Sequence, residues 1–534
     1  MPEGHEEETP AGAPTDSITF FGELEELSQE RSGQEAEAGT TTPDKNATSV
    51  AMQLLAAFVA HLISLNCGYA VGWAAVAIPV LKSNGTEYSP PALDRPLTTQ
   101  ECSWVVSASL ISSAVGPMLS SQVSRCWGFK PAGYLVGVTA TLGGVAILLA
   151  RGLAALLAGR VVVGMAMGAV PVVANAYMAD AAQQHVRGAL GTFFALLFNA
   201  GILLAYIVGA VATYLEVCAV AVGLPVLYTV CFFFLPESPQ YLLSSGKVEA
   251  AEKSLRWFRP VGHDVEGELK LMRYEVESKS TEGGMSVAEF FRDRASRLGF
   301  IAFLVLILNQ NLDGTGVILN YVVEMFSAAD ATVSAQWAAV VVAAVQLLAT
   351  FLSSVLVDRV GRRPLLMASN AGMATCLTAV GLYFFALGSG YDVSSLWWIP
   401  ITSLSLSLVL NACGIGSLLF VIATELFSSD AQAVAFSIGF TAAVVVNATV
   451  LKFYVVLLYW IDIYGCYWLF AVSCLVSNVY IFFFLPETKN RPITDIVAEL
   501  NGEKKEKLPY SSLSDSEDGR TESVNTLKGG HCAA

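Results

Sequence analysis

The sequence contains repeated apolar runs of about twenty residues or more, for example at 51–81, 155–179 and 298–326. The hydrocarbon core of a bilayer is about 30 Å thick, and about 20 helical residues cross it. Only 14% of the residues are charged, against about a quarter in a soluble domain. The runs therefore predict an all-α integral membrane protein.

Twelve spans are predicted, near residues 51–81, 102–124, 132–150, 155–179, 189–211, 214–235, 298–326, 334–357, 365–388, 395–424, 434–458 and 465–485. An even number of crossings places both termini on one side. The chain then divides into a disordered acidic tail (1–50), an N-terminal six-helix bundle (51–235), a helical linker (236–297), a C-terminal six-helix bundle (298–485) and a second tail (486–534). Apolar residues recur at helical spacing in the charged linker, which favours a cap of short helices over a flexible linker.

Lysine and arginine residues indicate which side holds the termini. Loops on the opposite side carry few bases, whereas the terminal side carries those of the linker together with Arg125, Lys130, Arg187, Arg359, Arg362 and Arg363. By the positive-inside rule both termini are predicted to be cytoplasmic. The sequon at Asn84 then falls in the first outward loop and is a candidate glycosylation site.

The composition argues against several classes of function. Residues 1–50 hold 12 acidic and 2 basic residues and account for much of the net charge of −15, and the chain has no basic patch for nucleic acid. The cysteines lie mostly in apolar runs without metal-ligand spacing, so we expect no metal site and no disulfide framework. Without a phosphate-binding loop, a nucleophile–base pair or a cofactor motif, we expect neither enzymatic activity nor a cofactor.

The chain repeats itself once. Residues 229–240 read TVCFFFLPESPQ and residues 479–490 read VYIFFFLPETKN, and each segment closes a block of six spans. Earlier in the blocks, residues 125–131 correspond to 359–364, and Asp180 corresponds to Glu425. Three landmarks in one order indicate two homologous bundles. Such repeats place a solute site between the halves and allow alternating access by rocking.

These landmarks together resemble the sugar-porter family of the major facilitator superfamily over about residues 51–500. The resemblance rests on Gly159-Arg160 with Gly164, Asp180 with Arg187-Gly188, Pro236-Glu237-Ser238-Pro239, Asp358-Arg359, Gly361-Arg362-Arg363, Glu425-Leu426-Phe427 and Pro486-Glu487-Thr488. It implies the major facilitator fold, with twelve transmembrane helices in two six-helix bundles, a cytoplasmic helical cap and a monomeric state. The segment 68–73 and Lys452-Phe453 are most similar to the arthropod facilitated trehalose transporter branch.

The resemblance also implies a cytoplasmic gate of salt bridges. Its candidate members are Arg160, Asp180, Arg187, Glu237, Arg359, Arg362, Arg363, Glu425 and Glu487. Pairs that bridge the halves would favour the outward-open state, and the alternative is that the charges only orient the helices. Phe129 and Gln432 stand where the family has basic residues, so we expect the gate to be weakened or rewired.

A sugar site requires amide and aromatic side chains within apolar helices, because amides both donate and accept hydrogen bonds and aromatic rings cover apolar ring faces. Residues 309–316 supply amides and two glycines in the seventh span and resemble the family's QQLSG motif. The candidate substrate-binding residues are Gln310, Asn311, Asp313, Asn320, Tyr321, Gln346 and Phe420. The alternative for a single glutamine is a hydrogen bond between helices. Several family amide positions are lost, among them Ala195 and Ala442.

Three ionisable residues, His61, Asp313 and Lys452, lie where the hydrocarbon core is expected. Such residues are costly in hydrocarbon and are functional candidates by default. We expect Asp313 to face the cavity, and one hypothesis pairs it with Lys452; the alternative is that Lys452 reaches the membrane surface and cavity water solvates Asp313. For His61, a buried hydrogen-bonded histidine is favoured over a proton relay.

The sequence thus predicts facilitative, alternating-access transport of a sugar, either trehalose or a hexose, or of a sugar-like solute. The first span holds no acidic residue, whereas proton-driven members of the family carry one there. Two alternatives remain open, a proton-coupled symporter that uses Asp313 or His61 and a nutrient sensor that does not transport. The expected location is the plasma membrane, with an endosomal membrane as the alternative, and the expected partners are the bilayer and a small solute.

Overall fold

The computed structural model of the chain describes residues 43–83, 93–259, 264–281, 286–328, 334–356, 361–427, 429–489, 491, 496 and 499. In this part of the chain, eleven helices are long and apolar enough to cross a membrane. The first ten are α1 (Pro43–Lys82), α2 (Thr99–Trp127), α3 (Phe129–Leu148), α4 (Leu153–Ala181), α5 (Gln184–Val211), α6 (Tyr214–Phe233), α7 (Arg294–Ala328), α8 (Ala335–Leu356), α9 (Arg362–Gly388) and α10 (Trp398–Leu426).

The eleventh helical stretch, Ser429–Phe484, contains two spans. Its 56 residues would measure about 84 Å if straight, far more than the about 30 Å of hydrocarbon. Helical geometry is interrupted at Asp462, where φ is 55° and ψ is 179°. This break divides the stretch into α11 (429–461) and α12 (463–484) and gives twelve crossings, as predicted. We call the face at which α1 begins and α12 ends the terminal face, and the opposite one the far face.

Glycine or proline stands where α2, α4, α7 and α10 are interrupted. The interruption in α2 precedes Gly116-Pro117, and α4 contains a π-helical turn at Pro171–Asn175. The break in α7 falls at Asp313 and Gly314, and Gly314 adopts a φ of 83° that L-residues with a side chain rarely tolerate. α10 breaks at Gly414. The breaks in α7 and α10 lie near the middle of each span.

Close contact between α1 and α5 organises the first half. A Cβ atom at Gly68 would lie 1.8 Å from the carbonyl oxygen of Phe198, and one at Gly201 would lie 2.0 Å from that of Leu65. Glycine at both crossing points therefore allows the two backbones to touch, which is how helices associate when lipid removes the hydrophobic driving force. Between the halves, α1 contacts α7, α2 contacts α11 and α5 contacts α8.

Short helices between α6 and α7 form a cap on the terminal face, and they span Pro239–Ser244, Val248–Phe258, Val265–Thr281 and Val287–Arg292. Arg259 anchors this cap, because its Nη1 donates to the carbonyl oxygen of Ala181 over 3.0 Å and its Nη2 lies 2.6 Å from Glu268 Oε1. Gln53 of α1 donates to the carbonyl oxygen of Phe258 over 3.2 Å. The cap is thus docked onto the N-terminal bundle.

Candidate functional site

Two carboxylates hold equivalent positions on the terminal face. Glu237, which follows α6, accepts hydrogen bonds from the first two backbone N–H groups of α3 over 2.9 and 3.0 Å. Glu487, which follows α12, accepts from the first two backbone N–H groups of α9 over 2.9 and 3.1 Å. A helix N-terminus carries positive partial charge and unpaired N–H groups, so it holds a carboxylate well. The two halves repeat this interaction, as their shared sequence predicts.

A second repeated contact connects the residues that follow these carboxylates to the ends of α4 and α10. Asp180 accepts a hydrogen bond from the hydroxyl of Ser238 over 2.7 Å. Glu425 accepts one from the hydroxyl of Thr488 over 2.5 Å and also pairs with Arg362 Nη2 at 3.1 Å. Each of these contacts joins residues of the same half on the terminal face.

The contacts that the structure describes for these acids lie within their own bundle, and pairing across the halves stays a prediction. Arg363 also binds within its own bundle: its guanidinium donates to the carbonyl oxygen of Phe482 and lies 5.7 Å from the centroid of that ring. Backbone N–H groups bind the carboxylates of Glu237 and Glu487, so these contacts do not require a long arginine side chain to be ordered. Arg359 lies outside the described residues, and so does the side chain of Arg187.

Arg160 was predicted in the same network, and this prediction was wrong. α4 begins at the far face, so Arg160 lies about two turns from that end and is only 2% exposed. Its Nε and Nη1 donate to the carbonyl oxygens of Val105 and Ala70 over 3.0 and 3.1 Å, and its Nη2 donates to Ser109 Oγ over 2.9 Å. The guanidinium also lies 5.0 Å from the centroid of Trp73. Arg160 thus joins α1, α2 and α4 inside one bundle.

The two broken helices of the second half meet at Asp313. Asp313 Oδ1 accepts the backbone N–H of Thr315 over 2.8 Å and so caps the second segment of α7. Asp313 Oδ2 accepts a hydrogen bond from Asn411 Nδ2 of α10 over 2.6 Å. We call this contact the α7–α10 junction. Discontinuous helices of this kind mark the solute sites of many secondary transporters.

Asp313 has no exposed surface, so the expectation that it faces the cavity is not met in this conformation. Its predicted ion pair with Lys452 is also absent, because the carboxylate binds Thr315 and Asn411 instead. Lys452 donates to Ser103 Oγ over 2.8 Å, and its Nζ lies 3.9 Å from the centroid of Trp104. The lysine therefore connects α11 to α2 across the two halves.

Several predicted site residues present polar atoms that have no partner in the part of the chain that the structure describes. The buried Gln310 Oε1, Gln346 Oε1 and Tyr321 hydroxyl have no hydrogen-bond partner in the described structure. Asn311 and Asn320 donate to carbonyl oxygens one turn earlier in α7, over 2.7 and 2.8 Å. Asn84 and the side chain of Phe420 lie outside the described residues.

Three amide side chains near this region were not among the site residues predicted from the sequence. Asn411 forms the α7–α10 junction, and Asn199 of α5 donates to Thr350 Oγ1 of α8 over 3.2 Å. Asn447 of α11 faces the broken part of α7, since a Cβ at Gly316 would lie 3.4 Å from its Oδ1. Each is an amide inside an apolar run, a signal that was used for residues 309–311 and could have been extended to these positions.

His61 is fully buried and engaged on both sides of its ring. Its Nδ1 lies 2.9 Å from the carbonyl oxygen of Ala57, and its Nε2 lies 3.0 Å from Asn175 Oδ1, at the end of the π-helical turn of α4. This arrangement agrees with the favoured interpretation of a buried, hydrogen-bonded histidine.

Several polar contacts join the two halves between the membrane centre and the far face. Lys82 pairs with Glu324 at 2.7 Å, and the hydroxyl of Tyr206 donates to the carbonyl oxygen of Leu319 over 2.6 Å. The contact of Lys452 with Ser103 belongs to the same set. The described conformation is therefore one in which the halves are bound together towards the far face.

Two homologous six-helix bundles, contacts between them towards one face and broken helices that meet in the membrane define a multi-pass membrane transporter. A family profile described as "Sugar (and other) transporter" matches residues 56–500. The chain belongs to this family, which confirms the predicted resemblance.

Comparison with known proteins finds relatives that are facilitated trehalose transporters. The chain is 29% identical to the facilitated trehalose transporter Tret1 of Bombyx mori over 462 residues, which cover 86% of this chain and 89% of the relative. It is 27% identical to Tret1 of Apis mellifera ligustica over 454 residues, which cover 84% and 88%.

Solved structures support the fold. The E. coli xylose transporter XylE in a partially occluded inward-open conformation matches with a TM-score of 0.68 at 20% identity, over 83% of this chain and 99% of that chain. The inward-open conformation of XylE matches with a TM-score of 0.69 at 19% identity, over 84% and 99%. The major facilitator fold predicted from the sequence is confirmed.

Proposed function

We propose that the protein carries a sugar, trehalose or a hexose, across the membrane down its concentration gradient. The observation that carries this proposal is the set of unpartnered polar atoms on Gln310, Gln346 and Tyr321, buried in α7 and α8. Unsatisfied polar atoms are costly in a membrane interior, and a sugar hydroxyl can both donate to and accept from such groups. The family, and the name of the Tret1 relatives, support a sugar as the solute.

Gln310, Gln346 and Tyr321 are the proposed direct contacts of the sugar. Asn311 and Asn320 commit their amide nitrogens to α7 and would offer their oxygens. Phe420 keeps its proposed role of covering an apolar face of the sugar. Asp313 is instead assigned to holding the α7–α10 junction.

The proposed roles of the gate residues also change. Near-degenerate inward- and outward-facing states are needed for rapid exchange. We assign Glu237, Glu487, Asp180, Glu425, Arg362 and Arg363 to bundle-internal networks that move as rigid units. Arg187 and Arg359 are the proposed residues that pair across the halves when the terminal face closes.

The terminal face is proposed to be cytoplasmic, because its loops hold most of the lysine and arginine residues. Three segments then lie inside the cell. They are the tail 1–50 before the first bundle (51–235), the linker 236–297 between the bundles, and the tail 486–534 after the second bundle (298–485). Asn84 is the proposed glycosylation site on the outside. The proposed location is the plasma membrane, and the proposed state is a monomer.

The test is uptake of labelled trehalose and labelled glucose into proteoliposomes, with and without a proton gradient. Saturable flux that is independent of the gradient is the expected result. Gln310→Ala should reduce this flux at least about tenfold, since one or two hydrogen bonds of about 1 kcal/mol each are lost and the partner hydroxyls stay unpaired. The matched control is Gln122→Ala, which removes an exposed amide near the terminal end of α2.

Flux of neither sugar under any gradient would contradict the proposal. Saturable binding without flux would instead favour the sensor alternative.

One observation favours a proton-coupled form of the same function. Asp313 is a carboxylate with no exposed surface, and the hydrogen bonds it accepts come from the neutral donors Thr315 and Asn411. Flux that rises with an inward proton gradient in the wild type, and does not in Asp313→Asn, would establish this alternative. A gradient response that persists in Asp313→Asn would exclude Asp313 as the coupling group.

A further inference from the structure

The first half contains a cavity that the proposed sugar site does not use. It lies between α1, α3, α4 and α6, away from the α7–α10 junction. Its lining consists of Asn66, Ala70, Trp73, Ala140, Gly144, Ile147, Arg160, Val163 and Ala221. Two of these side chains, Arg160 and Asn66, carry hydrogen-bonding groups that have no partner among the described residues.

Arg160 is a buried cation with no counterion among the described residues. None of the ion pairs that the structure describes involves it, and its hydrogen-bond acceptors are two backbone carbonyls and one hydroxyl. A guanidinium has five N–H groups, so two remain after these three bonds. An uncompensated charge inside a membrane domain is energetically costly.

Asn66 is the second independent observation. Its side chain is 5% exposed and lines the cavity, and no hydrogen bond of this amide is found among the described residues. Buried amides are nearly always hydrogen-bonded, so an unpaired one that faces a cavity indicates a missing partner. Asn66 can present its NH₂ group to an anion held by Arg160.

We propose that this cavity binds a small monovalent anion of the halide class, such as chloride. One cation and one amide supply the donors, and apart from Trp73 the remaining walls are aliphatic or glycine. Phosphate or sulfate would need more donors to replace its water, whereas a weakly hydrated halide tolerates apolar walls. The anion neutralises Arg160 and connects α4 to α1 through Asn66.

The test is thermal unfolding of the purified full-length protein in detergent, with sodium chloride compared with sodium gluconate at equal ionic strength. Gluconate is too large for a halide-sized site, and equal ionic strength removes general screening. A ligand that binds only the folded state raises the unfolding midpoint with its concentration. We expect chloride to raise the midpoint by about 2–4 °C, with saturation, and bromide to replace chloride.

The variant Asn66→Asp provides the sharpest comparison, because it places a carboxylate in the cavity itself. This built-in anion should make the unfolding midpoint the same in chloride and in gluconate. The control Asn478→Asp adds a carboxylate on α12, where the amide donates to the carbonyl oxygen of Met367, and should keep the chloride effect. These measurements do not depend on sugar transport, so they remain informative if the proposed substrate is wrong.

Equal wild-type midpoints in chloride and gluconate would overturn the proposal. So would a chloride effect that survives unchanged in Asn66→Asp, since the site would then lie elsewhere.

Discussion

Lys82 at the end of α1 forms an ion pair with Glu324 of α7, with 2.7 Å between Nζ and Oε1, and this pair joins the two halves at the far face. The side chains are 27% and 29% exposed, so the pair contributes about 0–1 kcal/mol. A contribution of this size suits a contact that must break in each transport cycle, because the two conformations must remain close in free energy.

The first prediction concerns this pair. Lys82→Glu should favour opening of the far face by up to about fivefold, because two acids then replace an attractive pair. Cys102, 1% exposed and near both charges, reports the opening through its rate of maleimide modification. The background carries Cys126→Ser, which removes an exposed thiol, together with Cys532→Ser in the tail.

The reversed pair Lys82→Glu with Glu324→Lys should restore slow modification of Cys102. Arg95→Glu is the control, since Arg95 pairs with Glu101 on the same face without bridging the halves. An unchanged rate in Lys82→Glu would show that the ion pair does not hold the far face closed.

The second prediction concerns the contact of Lys452 with α2. Lys452→Met removes a hydrogen bond to Ser103 and a cation–π contact with Trp104, and it should lower the free energy of unfolding by about 1–2 kcal/mol. Lys452→Arg keeps the charge over the ring and should lose less than half of that amount. Thermal unfolding in detergent measures both. Equal losses in the two variants would argue against the cation–π contact.

The third prediction separates Asp313 from Lys452. Asp313→Leu removes the cap of the second α7 segment and leaves Asn411 unpaired, so it should cost about 2–4 kcal/mol. Asp313→Asn keeps an acceptor for Thr315 and should cost less than about 1 kcal/mol. The losses of unfolding free energy in Asp313→Leu and Lys452→Met should add in the double variant to within about 0.5 kcal/mol. A coupling free energy well above this value would restore the original pairing hypothesis.

The fourth prediction concerns the break in α7. Gly314→Ala should destabilise the protein by about 2 kcal/mol or more, because φ is 83° and the new Cβ would lie 2.6 Å from Phe470 Cδ2. Gly223→Ala in α6 is the control, since its Cβ would meet nothing within 4 Å. Differential scanning fluorimetry compares the two, and a Gly314→Ala variant as stable as Gly223→Ala would show that the junction tolerates rearrangement.

The span positions followed from the sequence because each requires only a local property, an apolar run long enough to cross the bilayer. The repeat followed as well, since Glu237 and Glu487 sit in matching segments and perform the same contact at α3 and α9. The amides at 309–311 were visible for a similar reason, as polar side chains in an apolar run.

The partners of the charged residues did not follow from the sequence. It showed that Asp313 and Lys452 each need a polar neighbour, and the hypothesis joined them because both are charged. Their actual partners, Asn411 and Ser103, lie 98 and 349 residues away along the chain. Arg160 was misassigned because it was grouped by its motif, although the predicted span 155–179 already places it near the end opposite the termini.

The sequence by itself determined the membrane class, the twelve crossings, the twofold repeat and the family. Only the tertiary structure decided which acids bind helix N-termini, that α7 and α10 meet at Asp313, and that Arg160 and Asn66 line one cavity. The physical reason is range: hydrophobic length and periodicity are properties of a segment, whereas a hydrogen bond requires two atoms within about 3 Å. Helix packing between distant parts of the chain brings such atoms together.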